Sequence, residues 1–149
     1  MVICCDTSFL FSVYGNDTNS GRALDYLQKE GASLAVSVFN GFELANAFRL
    51  AEFRRLIEGG NGERFIDQYR QDIAEGRIVE YPCNLAEVLK RARELSASHT
   101  LTGGHRGFDI LHVAAALEMG ADMFLTFDRN QSLLATAEKL NIPLEVRGR

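Results

Sequence analysis

The chain has 149 residues, 46% of them hydrophobic and 24% charged, which is ordinary for a globular protein and enough for a buried core. Sixteen basic residues against 20 acidic ones give a formal charge of −4, so any nucleic-acid binding must come from local patches rather than from the global charge. No run approaches the roughly 18 apolar residues of a membrane span; the start of the chain lacks a secretory pattern; and three cysteines without Cys-x-x-Cys spacing exclude a zinc ribbon or a disulfide framework and fit a reducing cytoplasm.

The elements follow in order, within one domain expected to span residues 1–149. Residues 2–5 predict a buried strand, whose apolar run Val2-Ile3-Cys4-Cys5 ends at Asp6. Asp6 precedes Thr7-Ser8 and can cap a helix beginning there. Residues 20–30 predict a helix, with Ala23, Leu24 and Leu27 on one face and Gly31 as its stop. Ser33 to Val38 predicts a second strand, and residues 39–58 a long helix ended by Gly59-Gly60. In that helix Glu43 shares a face with Phe39, Ala47 and Leu50, the side expected to be core. Its polar face runs through Arg49, Glu52 and Arg55. Residues 62–75 predict a helix closed by Gly76, and 77–81 a short strand ending before Pro82.

Asn84-x-x-Glu87 opens a further helix, with Leu85, Val88, Leu89, Ala92 and Leu95 as its apolar stripe. Residues 99–106 read as a polar loop in which His99 and His105 are solvated. Residues 107–119 form a nearly all-apolar helical pattern that implies burial on most sides. Residues 122–127 predict a strand ending at Asp128, whose Asp-x-x-Gln131 spacing is a capping box for a helix over 129–140. A last short strand is expected over 142–146. Strands alternating with helices predict an α/β fold with a mainly parallel sheet covered on both faces. Sites in such sheets form at the carboxyl ends of strands, where Asp6 and Asp128 fall.

Four acids carry the functional reading. Asp6 and Asp128 taken singly are adequately explained as helix caps. Asp109 lies on a helix buried on most sides, where an unpaired carboxylate is expensive. Glu43 on a core-facing side likewise asks for a partner, although its stem can snorkel outward. None has an obvious basic neighbour in sequence. Gathered together, they form an oxygen-only site, which selects Mg²⁺ or Mn²⁺ over zinc. Such ions promote attack on phosphate esters. His112, three residues after Asp109, faces the same way and is expected as an imidazole bonded beneath the site, since one histidine makes a poor zinc site.

The residues Asp6-Thr7-Ser8, Phe42-Glu43-Leu44-Ala45-Asn46, Phe108 to Ala116, and Phe124-Leu125-Thr126-Phe127-Asp128 stand in the order of a known family. With them the chain resembles the PIN-domain family, in particular its toxin-type ribonucleases, the VapC-like toxins of type II toxin–antitoxin pairs. The resemblance implies a PIN-like three-layer sandwich with a central parallel sheet flanked by helices. It also implies a Mg²⁺- or Mn²⁺-dependent endoribonuclease whose acidic quartet is Asp6, Glu43, Asp109 and Asp128. Asp6, Asp109 and Asp128 would be the metal ligands, and Thr126 the accompanying hydroxyl. Many members place another acid two residues past the fourth. Here Asn130 stands there as a supporting residue, which weakens a second metal site. A small antitoxin partner and a homodimer are implied in the same way. Single-stranded or looped RNA is the expected substrate, since unstacked bases can be read there, and Arg49, Arg106 and Arg129 are candidates for its backbone. The alternatives are a non-toxin PIN nuclease and a degenerate PIN scaffold that binds RNA or a partner without catalysis.

Overall fold

The strands β1 (Ile3–Cys5), β2 (Leu34–Val36), β3 (Ile78–Glu80) and β4 (Met123–Leu125) are each three residues long and pair in the order β3-β2-β1-β4, every pair parallel. The computed structural model describes residues 1–147, so the last two residues of the expected 1–149 span lie outside the described residues. In β1 the middle residue fixes the register, with Cys4 opposite Ala35 on one side and Phe124 on the other. The chain moves outward from β1 to β2 to β3, then returns to lay β4 on the opposite edge of β1. The order therefore reverses between β1 and β4, and the crevice at their carboxyl ends is where α/β sheets place their ligands.

Among the described residues seven helices complete the fold: α1 (Thr7–Tyr14), α2 (Ser20–Glu30), α3 (Val38–Phe53), α4 (Asn61–Ala74), α5 (Leu85–Gly103), α6 (Gly107–Glu118) and α7 (Arg129–Ala137). Alternation along β1 divides the core in two, because successive strand residues point to opposite faces. Ile3 and Cys5 pack with Phe9, Leu10, Leu44, Phe48 and Ile66 of α1, α3 and α4. Cys4 packs on the other face with Val88, Val113, Ala114, Phe124 and Leu134, beneath α5, α6 and α7. The result is the expected three-layer sandwich. The run Val113-Ala114-Ala115-Ala116 is buried throughout, its small side chains letting α6 lie close to the sheet. Among the described residues no helix is long and apolar enough to cross a membrane.

Several expected boundaries shift, each for a physical reason. The helix expected over 39–58 ends at Phe53, because Arg55 adopts a left-handed φ of 58° and Leu56 N–H donates back to the Ala51 carbonyl at 2.9 Å. That is a helix-closing turn of the kind glycine usually makes. The helix expected to 140 closes the same way at Ala137: Lys139 has φ 66° and Leu140 N–H donates to the Ala135 carbonyl at 3.0 Å. The polar loop expected over 99–106 is mostly helix, since α5 continues to Gly103 and stops only where Gly104 turns left-handed. His99 therefore sits on α5 and bonds Glu138 at 2.9 Å, while His105 folds back against Gly103, where a Cβ would collide with its ring. Residues 142–146 do not form a strand; a single parallel bridge joins Met123 and Asn141.

Candidate functional site

An open groove of ≈ 570 Å³ lies at the carboxyl ends of β1 and β4, and all four expected acids, Asp6, Glu43, Asp109 and Asp128, line it. Asp6 leaves β1 and caps α1; Asp128 follows β4 and caps α7; Asp109 sits in the first turn of α6; Glu43 projects from the middle of α3. Four separate elements thus bring like charges to one place, an arrangement that costs energy unless a cation accompanies it.

Asp6 is 2% exposed and fully engaged. Its Oδ1 accepts from Phe9 N–H at 3.0 Å and from the Ser8 hydroxyl at 2.7 Å, and its Oδ2 accepts from the Thr126 hydroxyl at 2.6 Å. Burial pushes the carboxyl up to about 6, against the downward pull of the bonds from Thr126, Ser8 and Phe9 and of the nearby His112. The two hydroxyls also stitch β1 to the end of β4: Ser8 Oγ accepts from Phe127 N–H at 2.9 Å, and Thr126 Oγ1 accepts from Asp128 N–H at 2.9 Å. Capping and site-building are therefore compatible for Asp6, and equally for Asp128, whose Oδ1 accepts from Gln131 N–H at 2.9 Å.

Asp109 is buried and receives a hydrogen bond from Arg106 Nε at 3.1 Å. This corrects the expectation that no acid has a basic neighbour: Arg106 lies three residues earlier, across the turn that opens α6. The Arg106 guanidinium is held above its ordinary value, first by that bond and the charge of Asp109, then by the more distant Asp128 and Glu43. Among the described residues it is the one cation lining the groove.

Glu43 is not on the core side of α3. The buried face runs through Asn40, Leu44, Phe48 and Ala51. Glu43, Ala47 and Leu50 share a face as expected, but that face is a wall of the groove. The buried His112 places its Nε2 2.8 Å from Glu43 Oε1 and 3.3 Å from Thr7 Oγ1. Burial acts to raise the Glu43 carboxyl, but the bonds to His112 and Thr7 and the charges of His112 and Arg106 outweigh it and hold the group below the usual range. His112 thus lies beneath the groove, in contact with both Glu43 and Thr7.

Three expected participants lie elsewhere. Asn130 and Arg129 line a neighbouring depression with Phe127, Asp128, Val146 and Arg147. Arg49 is absent from the groove lining and pairs with Glu63 at 2.8 Å. Conversely, Ser8 and Gln131 line the groove, although the sequence marks them only as part of the Asp6-Thr7-Ser8 run and of a capping spacing. Ser8 matters through a bond to a residue 119 positions away. Gln131 is 1% exposed, and both atoms of its side-chain amide are buried without a partner at the wall of the groove.

The donor set fits a hard divalent cation: it is all oxygen, it is anionic, and it has drawn in a guanidinium. Among the described residues no three His, Cys, Asp or Glu side chains stand close enough to hold an ion unaided. Mg²⁺ does not require that, since it is commonly held by one or two carboxylates and several waters.

A family model described as the PIN domain matches residues 3–137. No curated protein matches the chain significantly in sequence. Solved structures that resemble it include VapC20 of Mycobacterium tuberculosis, described as a toxin that cleaves the sarcin–ricin loop (TM-score 0.68, 18% identity, 88% of this chain and 93% of that one). VapBC-1 of nontypeable Haemophilus influenzae is similar (0.65, 16%, 95% and 96%), as is FitAcB of Neisseria gonorrhoeae (0.62, 19%, 95% and 96%). At these identities the likeness is one of fold.

Proposed function

The chain belongs to the PIN-domain family, and on that premise we propose that it is a divalent-metal-dependent endoribonuclease, the toxin of a toxin–antitoxin pair. The observation that carries the reading is the convergence of Asp6, Glu43, Asp109 and Asp128 on one groove at the sheet's switch point. The fold likeness to an RNA-cleaving toxin supports the toxin assignment. A small antitoxin and a second copy of the chain are the partners this reading carries.

Asp6, Asp109 and Asp128 would hold a Mg²⁺ or Mn²⁺ ion, directly or through water. When bound, the ion supplies Lewis-acid stabilisation of the phosphoryl charge and makes water a better nucleophile. The hydroxyls of Ser8 and Thr126 lock Asp6 in place. His112 fixes the direction of Glu43, and because Glu43 stays ionised it can take the proton of the attacking water. Water oxygen bonds to phosphorus as the phosphorus–3′-oxygen bond breaks, and the leaving 3′-oxygen takes a proton from solvent, giving a 5′-phosphate and a 3′-hydroxyl. Arg106, with most of its side chain in solvent beside the carboxylates, is positioned to contact the RNA backbone.

Incubation of wild type and Asp109→Asn with a structured RNA, with and without Mn²⁺, tests this. The expected result is Mn²⁺-dependent cleavage with 5′-phosphate ends, reduced at least 100-fold in the variant. Equal cleavage by both proteins would sink the assignment of Asp109 to the catalytic site, and no cleavage by either would favour the non-catalytic scaffold.

A further inference from the structure

The groove does not end at its carboxylates. Phe108, adjacent to Asp109 and part of the groove wall, carries Phe42 stacked on it, with ring centroids 6.0 Å apart and planes 23° apart. Phe39 props Phe108 from a second direction, edge-on at 6.5 Å. Phe42 itself is 66% exposed, although its neighbour Leu44 in α3 is 1% exposed. A phenylalanine this exposed contributes little to folding. Here it extends an aromatic surface continuously from the acid groove to the rim. The surface is rigid, because Phe108 of α6 is braced by two rings of α3. Beside it stands Arg106, whose side chain is 79% exposed and whose charge suits a phosphate.

We propose that Phe42 and Phe108 form a stacking subsite for one unpaired nucleobase flanking the scissile phosphate. The inference rests on the nuclease reading and deepens it, by assigning the preference for unpaired RNA to named side chains. Base–aromatic stacking is worth roughly 1–3 kcal/mol per base and tolerates any base, since each has a π-face. A base within a duplex has both faces already stacked and cannot occupy the ledge. The subsite therefore selects for strand opening rather than for sequence. Such a ledge also explains how an acidic protein holds a polyanion: the base anchors on the rim by an uncharged contact, while the phosphate approaches the carboxylates only with a cation present.

The test is fluorescence anisotropy in Ca²⁺ with a short labelled single-stranded RNA and a duplex of the same sequence. Wild type, Phe42→Ala, Phe42→Trp and Phe108→Ala are compared, with 2-aminopurine placed in the single strand as a stacking reporter. The expected result is a single-strand Kd about tenfold weaker in Phe42→Ala, near-wild-type binding in Phe42→Trp, no change for the duplex, and loss of 2-aminopurine quenching in Phe42→Ala. Mn²⁺ affinity stays at the wild-type value in Phe42→Ala, which separates the ledge from the metal site. Single-strand binding that is unchanged in both alanine variants overturns the subsite. So does a Phe42→Ala variant that loses self-association or antitoxin binding while keeping its RNA affinity, because the face is then a protein contact. Wild type that binds no RNA at all overturns the nuclease reading, and the subsite with it.

Discussion

Asp6 shows at the scale of one residue how a cap becomes a site. It satisfies an orphan N–H of α1 as any capping aspartate does, yet it is buried among hydroxyls and held with a carboxyl pKa of about 6. The folded chain therefore binds a proton between about pH 4 and 6 that the unfolded chain releases, so this group's contribution to stability falls as pH rises. Wild type should lose on the order of 2 to 3 kcal/mol relative to Asp6→Asn between pH 4 and 7 in the absence of metal, because each tenfold change in proton affinity is worth about 1.36 kcal/mol. Urea denaturation of both proteins across that range checks it, and a pH-independent difference would sink the idea. Gln131 presents the opposite case, a buried amide neither of whose atoms has a partner within the protein. Replacing an unsatisfied buried polar group by an apolar one of similar size relieves its desolvation cost. Gln131→Leu should accordingly raise the metal-free thermal midpoint, by the equivalent of about 1 kcal/mol; a lowered midpoint would show that a partner for the amide is already in place.

At the scale of elements, helix ends depart most from what the sequence predicts, and Arg55 and Lys139 explain why. Both occupy left-handed positions that close α3 and α7, and neither residue signals a stop. The glycines that do signal one, Gly59-Gly60, lie beyond the true end of α3. Arg55→Gly and Lys139→Gly should each stabilise the chain by roughly 0.5–1 kcal/mol, because glycine adopts positive φ without a steric penalty; chemical denaturation of the two variants measures it. The β1, α2 and β4 segments are legible because periodicity and punctuation agree there. The site is legible only in part. Asp6, Asp109 and Asp128 reveal themselves as carboxylates in apolar surroundings, and Glu43 does so through a face expected to be core that is a groove wall. Ser8 and Gln131 do not, since what makes them matter is a contact across the fold or the lack of one. Asn130, two residues past Asp128, is expected at the groove only through the family resemblance, and the structure places it in the lining of the neighbouring depression.

For the whole molecule, the strand order puts the carboxyl ends of β1 and β4 side by side, and α3 and α6 wall the crevice that results. Charge then decides what the crevice can do. Among the described residues four carboxylates face a single arginine, so the groove is short of positive charge and repels a phosphodiester until a cation enters. Calorimetric titration of wild type with Mn²⁺, alongside Asp109→Asn, reads that cation requirement without any RNA present. Wild type is expected to bind saturably below millimolar metal, with affinity weakened at least tenfold in the variant. No binding by wild type at millimolar Mn²⁺, or equal binding by both proteins, would mean that the four acids are not a cation site.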